Sequence, residues 1–173
     1  SICTRKFSVG ADGLILIEET EEADFRWQFF NADGSLAEMC GNGARCAARF
    51  AFEKKIVPAR MRFQTLAGEI EAEMIGAEAK IRLTPPANLD LDQGVVLADG
   101  PQTIHSLNTG VPHAVLFTED NRAAPVVARG REVRHHALFR PAGTNVNFVQ
   151  VLDARSLHVR TYERGVEDET MAC

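Results

Sequence analysis

The sequence lacks most of the marks that would tie it to a specialised environment. No cluster of lysine or arginine stands out, and the formal net charge is −5. The electrostatic footprint of a nucleic-acid binder is therefore missing. No apolar run reaches the length that crosses a bilayer. No charged start followed by an apolar stretch marks a secretory signal. The four cysteines (Cys3, Cys40, Cys46 and Cys173) form no CxxC pair, and no histidine lies at zinc-finger spacing from them. Nothing else suggests a secreted disulfide scaffold, so they read as reduced thiols in a cytoplasmic protein. No metal-ligand set and no Schiff-base motif is evident. What is present is ordinary for a globular protein: 45% hydrophobic and 25% charged residues over 173 positions, enough for one or two domains with a real core. The chain opens on Ser1 and closes on Cys173, and both ends read as cuts.

Periodicity supplies the elements. Residues 7–18 read as a glycine turn into a buried strand. Residues 24–30 alternate, with Phe25, Trp27 and Phe29 on one face, as a second strand whose aromatics serve the core. After the turn residues 31–35, Ala44, Ala47, Ala48 and Ala51 recur at helical spacing and Lys54-Lys55 follow. A stripe of such small side chains lets neighbouring backbone come close. Residues 60–84 read as three strands, with Ala67-Gly68 turning the first pair. Pro85-Pro86 stops the run and marks the domain boundary, giving domains 1–86 and 87–173. The second half predicts strands near 102–108 and 113–118, a helix over about 123–138, and strands near 145–152 and 156–163.

A faint repeat links the halves. Gly10-Ala-Asp opens a strand and Cys40 follows 30 residues later; Gly143-Thr-Asn opens another and Cys173 follows at the same distance. Between each pair lies an alternating strand ending in an aromatic (Phe30, Tyr162), then a glycine-bearing turn and a methionine shortly before the cysteine.

Cys40 precedes Gly41-Asn-Gly and the alanine-rich helix, which places its thiol at a helix N-terminus. Unpaired N–H groups and the macrodipole there favour a thiolate. The same N–H groups suit a substrate carboxylate, and the glycines permit close approach. The plain alternative is a glycine-containing helix start with a buried cysteine. If the halves are related by a pseudo-two-fold, Cys40 and Cys173 face each other. Two thiols on opposite sides of one carbon suit stereoinversion, one removing the Cα proton and the other delivering a proton to the opposite face. Cys3 and Cys46 read as structural. His105, His135, His136 and His158 read as ordinary strand or helix residues, and residues 167–169 as a solvated turn.

Six motifs then run in order: Gly10-Ala-Asp-Gly-Leu, Phe30-Asn-Ala-Asp-Gly-Ser, Met39-Cys-Gly-Asn-Gly-Ala-Arg-Cys, Gly110-Val-Pro-His, Gly143-Thr-Asn-Val-Asn-Phe and Tyr162-Glu-Arg-Gly-Val-Glu-Asp-Glu-Thr-Met-Ala-Cys. Together they resemble the diaminopimelate epimerase family across almost the whole chain. The resemblance implies an α/β (α+β) fold of two pseudo-symmetric domains, each a mostly antiparallel sheet wrapped around a central helix, with the active site in the cleft between them. It implies interconversion of LL- and meso-diaminopimelate without pyridoxal phosphate or another cofactor, for lysine and peptidoglycan synthesis, and by analogy a homodimer. Cys40 and Cys173 match the acid/base cysteines. Asn31, Asn145, Glu163 and Arg164 match substrate-binding positions, Gly41 and Asn42 the carboxylate socket, and His113 and Glu163 polar residues flanking the cysteines. The chain departs from the pattern in three places. The family's N-terminal Gly-Asn-Asp-Phe segment is absent, as is the Gly-Thr-Gly after the second cysteine with its helix, so the chain alone is expected to be inactive. Val111 stands where many members carry Asn, with Asn108 near enough in sequence to substitute. The rival readings are a racemase of the same fold on another amino acid (Asn42, where proline racemases have His, argues against proline), an inactive homologue serving as a binding module, and a thiol redox protein.

Overall fold

The computed structural model describes residues 2–4 and 6–171. The chain divides into two compact units, Ser1–Pro85 and Pro86–Cys173.

In the first unit, β1 (Gly13–Glu18), β2 (Phe25–Asn31), β3 (Arg60–Thr65), β4 (Gly68–Ile75) and β5 (Glu78–Arg82) lie in sheet order β1-β2-β3-β4-β5. Every pair is antiparallel except β2 and β3. Helix α1 (Gly41–Glu53) touches β1 at one end of the sheet and β4 and β5 at the other, so the sheet curls around it. Ala44, Ala47, Ala48 and Ala51 make the buried stripe of α1, and their small side chains are what allow strands on both flanks to approach. Phe25, Trp27, Met61, Phe63 and Ile70 fill the rest of the core, each contributing roughly 2–3 kcal/mol of burial. Phe25 stacks on Phe63 with ring centroids 4.7 Å apart. The expected buried strand over residues 7–18 is corrected: β1 ends the sheet order, and Leu14 and Leu16 are exposed. Only its other face, through Ile15, meets α1.

In the second unit, β6 (Ala87–Leu97), β7 (Gly100–Asn108), β8 (Pro112–Phe117), β9 (Asn145–Asp153), β10 (Ser156–Glu163) and β11 (Asp168–Thr170) lie in order β11-β10-β9-β8-β7-β6. The β8–β9 pair is parallel and the others antiparallel. Helix α2 (Val126–Arg134) packs on β9 and β10 and reaches both ends of the sheet, β11 and β6. Val126 and Val133 bury against Ile104, Leu116, Val146, Phe148 and Tyr162. The predicted helix over 123–138 is shorter than expected. Pro125 is its N-cap, and after Arg134 the chain turns into a separate 3-10 turn, Ala137–Phe139. The strand β6 and the short β11 were not foreseen.

The halves repeat locally. Gly10 and Gly143 have φ of +73° and +71°, and Gly34 and Gly165, in the turns after β2 and β10, have φ of +91° and +88°. These are left-handed conformations that glycine adopts without steric cost. After each turn the chain folds back on the strand it left, through the Phe30–Leu36 bridge in one unit and β11 in the other.

Candidate active site

Cys40 is the N-cap of α1. Its backbone is extended (φ −147°, ψ 116°), and its Sγ accepts the Gly43 N–H at 3.3 Å. Sulfur thus takes the position usually held by a Ser or Asp oxygen. The side chain is half-buried, not sealed in the core. Gly43 is packed close to it: an added Cβ would lie 3.2 Å from Ile15 Cδ1 and 3.5 Å from Cys40 Sγ. Gly41 is open by comparison, with only Arg45 at 4.0 Å. Asn42 Oδ1 accepts from the Arg45 guanidinium, which leaves the amide nitrogen as the face Asn42 turns away from Arg45. No acidic residue occupies the first turn of α1, so its positive end is not neutralised by its own sequence.

Asn31 closes β2. Its Nδ2 donates to Ser35 Oγ at 3.0 Å, and its N–H to Ser35 O at 2.8 Å. Asp33 tightens the same turn by accepting from the Ser35 hydroxyl and N–H, and those bonds lower its carboxyl pKa.

The second group lies on β8, β9, β10 and the turn that follows. His113 and Asn145 are neighbours in the parallel β8–β9 register. Asn145, 5% exposed, accepts the Arg164 N–H on Oδ1 at 2.8 Å. Glu163 closes β10, and its carbonyl accepts the Glu167 N–H. The Arg164 guanidinium donates to Ala142 O at 3.3 Å. Burial, and then the positive charge of Arg164, push the His113 pKa below the usual imidazole value. Asn108 accepts the Gly110 N–H at 2.8 Å and so shapes the turn before His113.

Residues 167–169 are exposed, as a solvated turn would be, but only Glu167 belongs to the turn; Asp168 and Glu169 open β11, and the Glu167 and Glu169 carboxylates are engaged. Glu167 accepts from Tyr162 Oη (2.9 Å), Arg134 Nε (3.0 Å) and the Gly165 N–H (3.1 Å). Burial opposes its charge, but these donors hold its pKa below the ordinary carboxylate value. Glu169 takes both ends of the Arg160 guanidinium at 2.7 Å. The Glu163–Arg164 turn is therefore tied to α2 and β10, a support that no periodicity announces. Asn147 was also missed, although it lies in the quoted Gly143-Thr-Asn-Val-Asn-Phe segment: it bridges His113, Ala114 and Thr161.

The remaining expectations sort simply. Trp27 and Phe25 are core, while Phe29 and Phe30 of the same strand are half-buried. Cys3 is buried, whereas Cys46 is exposed on α1 and fills no core. His105 packs edge-on to Phe117, and His136 caps the 3-10 turn. Cys173 lies outside the described residues. Among the described residues, no group of three or more His, Cys, Asp or Glu is placed to hold a metal ion, and no helix is long and apolar enough to cross a membrane.

Comparison with known proteins adds to this geometry. The family model described as diaminopimelate epimerase matches residues 1–88 and 105–173. The diaminopimelate epimerase of Aquifex aeolicus is 51% identical over 177 residues, covering 99% of this chain and 63% of the relative. That of Hydrogenobaculum is 49% identical, covering 99% and 64%, and that of Chlorobaculum tepidum 43%, covering 100% and 67%. The chain thus spans slightly under two thirds of the length of its first two relatives. The fold matches a hydroxyproline epimerase from Agrobacterium vitis (TM-score 0.72, 13% identity, 93% of this chain and 56% of that one) and a probable proline racemase from Agrobacterium radiobacter (0.68, 16%, 87% and 52%). At those identities the likeness is one of architecture. The family-model match, on both sides of the Pro85–Pro86 division, and the relatives at up to 51% identity place this chain in the diaminopimelate epimerase family.

Proposed function

We propose that this chain carries most of an isomerase that interconverts LL- and meso-diaminopimelate without a cofactor, in the cytoplasm, for lysine and peptidoglycan synthesis. Residues 1–86 and 87–173 act as its N- and C-terminal domains. Cys40 and Cys173 are the two bases: one thiolate removes the Cα proton, and the other thiol protonates the opposite face. Proton transfer by positioned groups of this kind contributes about 10²–10⁴-fold. The observation that carries the reading is Cys40 at the N-cap of α1 with the Gly43 N–H on its sulfur, since a helix N-terminus is where an anionic sulfur is stabilised.

The N–H groups at Gly41 and Asn42 form the socket for the carboxylate beside the reacting carbon. Asn42 is oriented for this by Arg45. Asn31, Asn145, Glu163 and Arg164 bind the remaining polar groups of the substrate, and His113 flanks the cysteines. The names of the relatives support diaminopimelate as substrate.

The test is epimerisation by the full-length reduced protein, followed by chiral separation of LL- and meso-diaminopimelate with a panel of other amino acids, proline included. Turnover of diaminopimelate above the rest is expected. Turnover of another amino acid alone would overturn the substrate, and turnover of none would favour a binding module.

A further inference from the structure

Asn147 sits on β9, paired with Val115 on β8 and Thr161 on β10. Its side chain has three neighbours within hydrogen-bond distance. Nδ2 lies 3.1 Å from Ala114 O and 3.1 Å from His113 Nδ1, and Oδ1 accepts the Thr161 hydroxyl at 3.0 Å. A backbone carbonyl only accepts. The amide atom facing Ala114 O must therefore be the nitrogen, which fixes the orientation of the whole amide. The second N–H on that nitrogen then points at His113 Nδ1, which must offer a lone pair.

We propose that Asn147 is a positioning residue that holds His113 with its lone pair on Nδ1 and its proton on Nε2, so that His113 serves the reaction as a hydrogen-bond donor and not as a proton acceptor. The role in the reaction rests on the function proposed above; the tautomer does not. With Nδ1 occupied by the amide and Nε2 already protonated, the ring has no site to receive a proton. A proton added at Nδ1 would set two N–H donors head to head. Burial and the positive charge of Arg164 act in the same direction. Thr161, 6% exposed, locks the other end of the amide. Asn147 thus does for His113 what an orienting carboxylate does for a catalytic imidazole, with the opposite sign: it donates where a carboxylate would accept.

The test is tautomer assignment by long-range proton–nitrogen correlation NMR on full-length, ¹⁵N-histidine-labelled protein at pH 7, without substrate. The His113 resonances are identified by their loss in His113→Gln. The wild type is expected to show His113 protonated at Nε2 alone. Protonation at Nδ1, or at both nitrogens, overturns the proposal without need of any variant. Asn147→Asp replaces the donor by an acceptor and is expected to move the proton to Nδ1, with kcat lowered about 10²-fold and KM changed less. Asn147→Leu, which keeps the bulk and removes both bonds, is expected to give a mixture of tautomers. An unchanged tautomer in a folded variant, or an unchanged kcat in Asn147→Asp, also overturns it. Because the spectrum needs no substrate, a protein that fails to turn over diaminopimelate yet shows the Nε2–H form refutes the functional reading and leaves the tautomer assignment standing.

Discussion

Replacing Gly43 by alanine separates the chemistry at Cys40 from the stability of the helix that carries it. Alanine is favoured over glycine inside a helix by about 1 kcal/mol. Against this, the new methyl would sit 3.2 Å from Ile15 Cδ1, 3.4 Å from Cys40 Cβ and 3.5 Å from Cys40 Sγ. Ile15 meets it with the end of a side chain, which can turn aside at a cost of about 0.5–1.5 kcal/mol. The two terms nearly cancel, so the change in stability is expected to stay within about 1 kcal/mol. The sulfur has no such freedom, since it is tied to the Gly43 N–H. A methyl against it replaces open approach with apolar surface where the thiolate forms. Turnover is expected to fall about tenfold, or about 1.4 kcal/mol of barrier. Alkylation of Cys40 by iodoacetamide at pH 7, after reduction, should slow with it. Urea unfolding, kcat and alkylation measured on one preparation decide the matter. Normal turnover and alkylation would refute the close coupling of Gly43 to the thiol. A stability loss above about 3 kcal/mol would show that Gly43 serves packing instead.

Three further outcomes are expected. Gly130→Ala places a Cβ 2.5 Å from Tyr162 Cβ and 2.7 Å from Cγ, atoms too near the backbone to swing away. A net loss of about 1–2 kcal/mol in urea unfolding should follow after the gain in helix propensity, and unchanged stability would contradict the packing. Asn121, fully buried, bridges Phe148 O and His158 O at 2.9 and 2.8 Å; Asn121→Ala removes both bonds from these carbonyls and should cost about 2–4 kcal/mol, whereas a loss under about 1 kcal/mol would mean that water replaces the amide. Burial, with the Glu167 hydrogen bond, raises the Tyr162 pKa from 10.0 to about 12. The protonated phenol is thus favoured by the fold, so its contribution is complete below pH 10 and is lost as pH rises toward 12. Stability should fall by about 2–3 kcal/mol over that window, a fall that Tyr162→Phe abolishes; an identical alkaline profile in the variant would show that Tyr162 does not carry it.

Much of this architecture was legible from the sequence wherever pattern and packing agree. The alanine stripe of α1 and the alternation of β2 each have one buried face, and periodicity reports a buried face. The strand β6 was missed because its first half reads as loop. Asn88 and Asp92 adopt left-handed φ of 54° and 56°, and the pairing with β7 shifts register twice, so long-range hydrogen bonds, not side-chain pattern, make it a strand. The apolar run in β1 suggested full burial, but a run of leucine and isoleucine does not say which face has a partner. At the site, local signals placed Cys40 on its helix. The tie of Glu167 to α2 and that of Asn147 to His113 were invisible, because each joins residues distant in sequence: Arg134 lies 33 positions from Glu167, and His113 34 from Asn147.

The central claim is that two thiols, one of them Cys40, work on opposite faces of one carbon. The most direct test incubates the full-length reduced protein with meso-diaminopimelate in deuterated water, without added cofactor, and follows deuterium at Cα in the wild type, Cys40→Ala and Cys173→Ala. The two-thiol mechanism requires deuterium incorporation by the wild type and loss of turnover in each single variant. Full turnover by either variant, or no exchange by the intact protein, would contradict it.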